Sequence, residues 1–245
     1  MSIRRQPATL SGRTSSIVAS LAAGIALGLA ASSAWAADAI RPTVVELFQS
    51  QGCSSCPPAN ANLNALSQRP DVLALSFAVT YWDSLGWKDT FAKAQFTDRQ
   101  YAYAHAMRDG NVYTPQIVIN GRLAGVGAER GEMEALIRKG ERAAAGPTIA
   151  IADGAAEIGA ATAPSAPADV WLVRYEPRTI EVPVLRGENA GKTLAHRNIV
   201  RELVRLGSWS GAATRFALPP ANPGLASAIL VQAQGTGPIL AAAKG

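Results

Sequence analysis

Two cysteines, two histidines and three methionines are all the sulfur and imidazole side chains in the 245 residues. A zinc site needs four ligands at paired spacing, and His105 and His196 lie far from Cys53 and Cys56, so no metal site is expected and both histidines read as ordinary surface or helix residues. Spacing alone leaves open two thiolates and one histidine on Cu(I). Two cysteines three positions apart are also too few and too close for a disulfide framework. After residue 36 no apolar run approaches the ~20 residues of a spanning helix, so no membrane anchor is expected beyond that point. No basic block with interleaved aromatics occurs, which argues against a nucleic-acid partner. Gly187 to Thr193 reads G-E-N-A-G-K-T, with three residues between its glycines where a phosphate loop has four. It is a β-turn region that can contact the N-terminal domain, and no motif implies a cofactor.

What is present begins with a leader. Arg4, Arg5 and Arg13 precede an apolar run from about Ile17 to Leu29, and Ala34-Trp35-Ala36 has the small-x-small form of a signal-peptidase site. The expectation is a signal peptide over 1–36, the general secretory route, and a periplasmic or secreted location. Gln6-Pro7 after the arginine pair is a poor twin-arginine signal. Removing three arginines leaves 20 basic against 18 acidic residues, so the formal charge of +5 falls to about +2.

Val44 to Phe48 reads as a buried strand, followed by the cysteines and by a helix opened by Pro57 and Pro58 and carried by Ala59, Leu63 and Leu66. Val72 to Val79 is a strand apolar on both faces. After an aromatic tract, Thr97 to Gln100 has capping-box form and opens a helix through Arg108. Gln116 to Ile119, the turn Asn120-Gly121 and Arg122 to Val126 make a hairpin, and Glu129 to about Ala144 makes a last helix. Gly146-Pro147 marks a boundary. Beyond it, short β-leaning runs at 148–152, 168–175, 179–185, 193–206, 214–218 and 226–234 predict an antiparallel, sandwich-like domain, with 198–206 open to a helical reading. The expected organisation is an α/β domain over 40–146 and a smaller, mainly-β domain over 147–245.

Cys53-Ser54-Ser55-Cys56 falls between a strand and a helix. Free N–H groups and the positive end of a helix stabilise a thiolate, so this placement favours a reactive pair: Cys53 attacks and the less exposed Cys56 resolves. A bond closing so short a loop constrains little of the unfolded chain, so an inert staple is the poorer explanation. The expected partners are protein thiols or disulfides. The rival expectation is a secreted binding module with a passive disulfide.

Glu46-Leu47-Phe48, Gly52 to Pro58, Tyr81-Trp82-Asp83 with Leu85-Gly86-Trp87, Val112 to Gln116, and Arg186 to Gly191 together resemble the secreted, thioredoxin-like proteins of domain-of-unknown-function family 1223. The resemblance implies a thioredoxin-like fold over 40–146 and a cis Thr114–Pro115 bond facing the cysteines, with Thr114 presenting backbone groups to a bound peptide. It also places Glu46 where such oxidoreductases keep a buried acid that takes a proton from the resolving cysteine; a salt-bridged structural Glu46 is the alternative. Tyr81 and Trp82, with Trp87, are either packing residues or part of a peptide-docking surface. Thioredoxin itself has a Trp before its first cysteine, which is Gly52 here.

Overall fold

The computed structural model describes residues 1–3, 41–140 and 146–245. Residues 4–36 of the expected signal peptide lie outside the described residues. From Arg41 onward the described residues belong to one compact unit, an α/β arrangement built on a large central sheet.

Strand β1 (Thr43–Gln49) leads into helix α1 (Cys56–Leu66), and β2 (Val72–Ala78) returns parallel to β1. Helix α2 (Ala94–Met107) precedes β3 (Gln116–Ile119), which runs antiparallel to β1 and turns at Asn120-Gly121 into β4 (Leu123–Gly125). Both turn residues have positive φ, 48° and 64°, which asparagine and glycine tolerate. Helix α3 (Arg130–Lys139) follows. The remaining strands are β5 (Ile149–Ala152), β6 (Ala155–Ile158), β7 (Ala168–Glu176), β8 (Ile180–Pro183), β9 (Thr193–His196), β10 (Ile199–Trp209), β11 (Thr214–Ala217), β12 (Ala226–Gln232) and β13 (Ile239–Lys244).

The central sheet has the order β13-β12-β7-β10-β2-β1-β3-β4. It therefore runs across the boundary placed at Gly146-Pro147, because β10 lies against β2 with Ile199 opposite Ser76. Asn198 fastens this junction: its carbonyl accepts from the Ser76 N–H at 2.9 Å, and its side chain donates to the Ala74 carbonyl at 2.8 Å. The predicted sandwich exists only as a local layer, the three-stranded sheet β11-β6-β5 packed on the β7 and β12 part of the large one. Residues 199–206 are strand and not helix: they belong to β10, which pairs antiparallel along β7 and meets β2 at Ile199.

Alternation along β1 decides what each face holds. Val45 and Leu47 pack under α1 and α3 with Leu63, Ile117, Met133 and Ile137. Val44 and Phe48 point the other way, into a cluster with Phe77, Phe96 and Tyr103 that continues onto Val173, Val200 and Leu230. The expected capping box at Thr97 is absent. Helix α2 starts earlier, after Lys93, and the Thr97 hydroxyl accepts instead from the Thr80 N–H at 2.9 Å, fixing the helix to the end of β2.

Glu46 shares the Val44 and Phe48 face and is completely buried there. Its carboxylate takes the Arg99 Nε–H at 2.7 Å and the Tyr103 hydroxyl. Arg99 also donates to the Tyr103 oxygen and to Gln232 Oε1, both at 3.1 Å, and lies over the Trp171 ring. Burial works against the Arg99 charge, yet Glu46 and Tyr103 outweigh it and hold the guanidinium more firmly protonated than a free one. Removing one member of such a pair strands the other. Arg99→Met should therefore lower unfolding free energy by about 3–5 kcal/mol in urea titrations, and the double variant Glu46→Gln/Arg99→Met should recover most of that loss.

Candidate functional site

The chain leaves β1 through a tight turn in which Gly52 N–H donates to Ser50 Oγ at 3.0 Å and Cys53 N–H to the Ser50 carbonyl at 3.2 Å. Cys56 N–H then donates to the Cys53 carbonyl at 3.2 Å, closing the turn at the mouth of α1. Cys53 and Cys56 are joined as a disulfide with Cα atoms 5.4 Å apart. Thr114 comes to this turn from a segment 61 residues away: its carbonyl oxygen lies 3.8 Å from Cys53 Sγ and accepts from Ser55 Oγ at 3.4 Å. The Thr114–Pro115 bond is cis.

The aromatic tract holds this second segment. Trp82 Nε1–H donates to Thr114 Oγ1 at 2.7 Å. The Tyr81 hydroxyl, pushed up to about 12 by burial and so kept protonated, donates to Gln100 Oε1 at 3.1 Å. Gln100 in turn donates to the Tyr113 carbonyl at 2.7 Å and to Gln116 Oε1 at 2.9 Å. Tyr81 and Trp82 are half-buried supports of Thr114, and Trp87 Nε1–H does the same for the cysteine turn by donating to Gln51 Oε1 at 2.9 Å.

Three expectations need correction. Of the two readings of Glu46 the salt-bridged one holds and the one beside the cysteines does not: pleating sends Glu46 to the face opposite α1, where the Arg99 charge claims it. Cys53, expected to be the open sulfur, is fully buried, and Cys56 is 2% exposed. His196 is not a surface residue. It is 1% exposed on β9, its Nδ1 is 2.9 Å from Asn60 Nδ2, and its ring meets Phe91 edge-on at 5.7 Å.

Burial of Cys53 comes with the loop read from the sequence as a β-turn region and with Asp89, which the sequence reading passed over. The β8–β9 loop, residues 184–192, bends over the turn. Asn189, itself fully buried, donates from Nδ2 to the carbonyls of Gln51 and Cys53, both at 2.9 Å. Glu188 Oε2 accepts the Ser54 N–H at 3.1 Å. On the opposite side Asp89 accepts the N–H groups of Gln51 at 2.7 Å and Phe91 at 2.8 Å. Nothing in the aromatic tract marks Asp89 as special, whereas the Arg186–Gly191 motif had already drawn the loop into the resemblance. Contact between this loop and the cysteine segment accords with its reading as a β-turn region lying against the N-terminal part.

The fold and this site define an α/β protein with a strand-turn-helix disulfide faced by a distant Thr-Pro segment. A family model described as "Protein of unknown function (DUF1223)" matches residues 44–232, and the chain belongs to that family. A crystal structure of a protein from Agrobacterium tumefaciens is similar at 32% identity and a TM-score of 0.66, over 82% of this chain and 92% of that one. HBP35 of Porphyromonas gingivalis shares the fold at 13% identity and a TM-score of 0.54, over 84% of this chain and 74% of that one. No curated protein matches the chain. No helix among the described residues is long and apolar enough to cross a membrane.

Two buried groups beside the site titrate in opposite senses. Burial raises Asp89 to about 6 and lowers His196 to about 4. The folded chain therefore holds an extra proton on Asp89 between about pH 4 and 6, which makes stability fall as pH rises there. It lacks one on His196 between about pH 4 and 6.5, which makes stability rise with pH. The two slopes largely offset each other. Asp89→Asn should expose a loss of stability on acidification from pH 6.5 to 4, and His196→Asn should expose a gain, both read from urea midpoints across that range.

Proposed function

We propose that the protein is a thiol-disulfide oxidoreductase on a thioredoxin-like domain, exported to the periplasm or beyond by its leader, with Cys53 and Cys56 as the exchanging pair. The observation that carries this is the meeting of Cys53 Sγ and the Thr114 carbonyl, 3.8 Å apart, at the mouth of α1. In that arrangement the helix end favours a Cys53 thiolate, Cys56 resolves the mixed disulfide, and Thr114 offers a backbone acceptor to an extended partner chain. The strand order β2-β1-β3-β4, with β1 and β2 parallel and α1 between them, supports the thioredoxin-like assignment. Partners are protein thiols or disulfides.

The burial of both sulfurs favours a second reading, a secreted binding module in which the disulfide is passive. Titration in thiol buffers separates the two. A working pair exchanges at potentials above about −300 mV, and a passive bond stays oxidised down to or below that value. In the Cys56→Ser variant the freed Cys53 should attack the disulfides of partner proteins in periplasmic extracts, releasing one partner sulfur as a thiol and accumulating reducible mixed disulfides. An adduct-free variant whose wild-type parent also resists reduction would leave the passive module.

A further inference from the structure

The mouth of α1 is poor in donors. Pro57 and Pro58 occupy its first turn and have no N–H, and the Cys56 N–H is used by the Cys53 carbonyl. No acidic residue stands in that turn and no side chain caps it. A thiolate on Cys53 would therefore depend on the helix end and on the few N–H groups of the Cys53–Cys56 loop itself. One of these, Ser54 N–H, is already taken by Glu188, whose contacts with Ser54 hold its carboxyl below the usual range.

We infer that the 184–192 loop is a strap latched across the disulfide, and that Glu188 is the positioning residue that couples strap closure to the redox state of Cys53. The inference rests on the oxidoreductase reading. In the oxidised protein Cys53 carries no charge, so Glu188 keeps the Ser54 N–H while Asn189 holds the Gln51 and Cys53 carbonyls. On reduction an external dithiol attacks the bond, the S–S link breaks, and two electrons pass from the dithiol, which leaves as a disulfide. Cys56 ends as a thiol, and Cys53 loses its proton to solvent to become a thiolate. That new negative charge competes with the Glu188 carboxylate for the same end of the helix, and the strap is released.

The strap's own chain permits such a movement. Within it Gly191 N–H donates to the Val184 carbonyl and Ala190 N–H to the Gly187 carbonyl, so the loop keeps its shape as it lifts. Gly187, with φ of 74°, rests against Leu85 and Trp87 by contacts that leave room for no side chain larger than its hydrogen without adjustment. The other charged groups facing the turn are Asp89, which holds Gln51 N–H, and Lys192, which donates to Asn189 Oδ1 at 3.0 Å; Arg186 is exposed on the strap. None of these changes when Glu188 is replaced, so a Glu188 variant isolates one charge.

The test uses the full mature chain and its Glu188→Gln variant, which keeps an acceptor and removes the charge. The thiolate absorbance of the reduced proteins gives the Cys53 acidity, glutathione buffers give the equilibrium, and trypsin reports cleavage at Arg186–Gly187 in each redox state. In Glu188→Gln the Cys53 thiol should become more acidic and reduction by glutathione about fivefold more favourable. Wild-type protein should be cut several-fold faster when reduced than when oxidised, and this ratio should shrink toward one in Glu188→Gln. Equal acidity and equal glutathione equilibria in the two proteins, or equal cleavage of the two wild-type states, would overturn the latch while leaving the oxidoreductase reading standing. A wild-type disulfide that glutathione does not reduce would remove both.

Discussion

The register of β1 against β3 sets the terms for everything at the site. Phe48 lies opposite Gln116, one residue from the C-terminal end of β1 and at the first residue of β3. Because the strands are antiparallel, the chain leaving β1 toward Cys53 and the chain entering β3 from Thr114-Pro115 emerge side by side. A slip of one residue would turn Glu46 toward α1 and drive Val45 and Leu47 into the opposite layer, at the cost of two buried aliphatic side chains and a buried charge. The site is thus a consequence of core packing: the alternation that buries β1 correctly also brings Thr114 to Cys53.

The same alternation accounts for Glu46. A carboxylate on a central strand is tolerable only with a counter-charge and hydrogen bonds that satisfy its oxygens. Arg99 and Tyr103 on α2 supply both, and Gln232 on β12 completes the set by donating to the Tyr103 oxygen at 3.0 Å. Residues from three distant stretches of chain meet in one satisfied network. Together with the β2–β10 junction at Asn198, it ties the strands after Gly146 to those before it, which explains why the sheet is continuous where the composition changes.

Much of this was legible in the residues, and the failures have physical causes. The strands at 44–48, 72–79 and 116–119 and the Asn120-Gly121 hairpin are local matters of apolar runs and turn chemistry, and they form as read. Strands β6 and β13 were missed because Ala155–Ile158 and Ile239–Lys244 are alanine-rich, with little β-preference of their own; their pairing with β5, β11 and β12 decides them. Thr97 looked like a cap because the pattern is local, but a distant N–H at Thr80 competed for its hydroxyl. The sides of the sheet could not be assigned from spacing, so Glu46 and the cysteines looked like neighbours. Asp89 and Asn189 act on backbone groups far away in sequence, a kind of contact that leaves no periodic trace.

The cost of the site is itself informative. A disulfide spanning three positions gives less entropic stabilisation than one that closes a long loop. Yet the turn that carries it is held by a buried carboxylate, Asp89, and a buried amide, Asn189, and each of these costs desolvation that its hydrogen bonds do no more than offset. Apolar side chains in those places would leave the N–H groups of Gln51 and Phe91 and the carbonyls of Gln51 and Cys53 without these partners. What the polar groups provide is a fixed geometry of backbone N–H and carbonyl groups around one sulfur, with Thr114 set opposite by its own relay from Trp82, Tyr81 and Gln100. Under the oxidoreductase reading proposed above, these directed polar contacts hold the turn in a fixed geometry while the bond opens and closes.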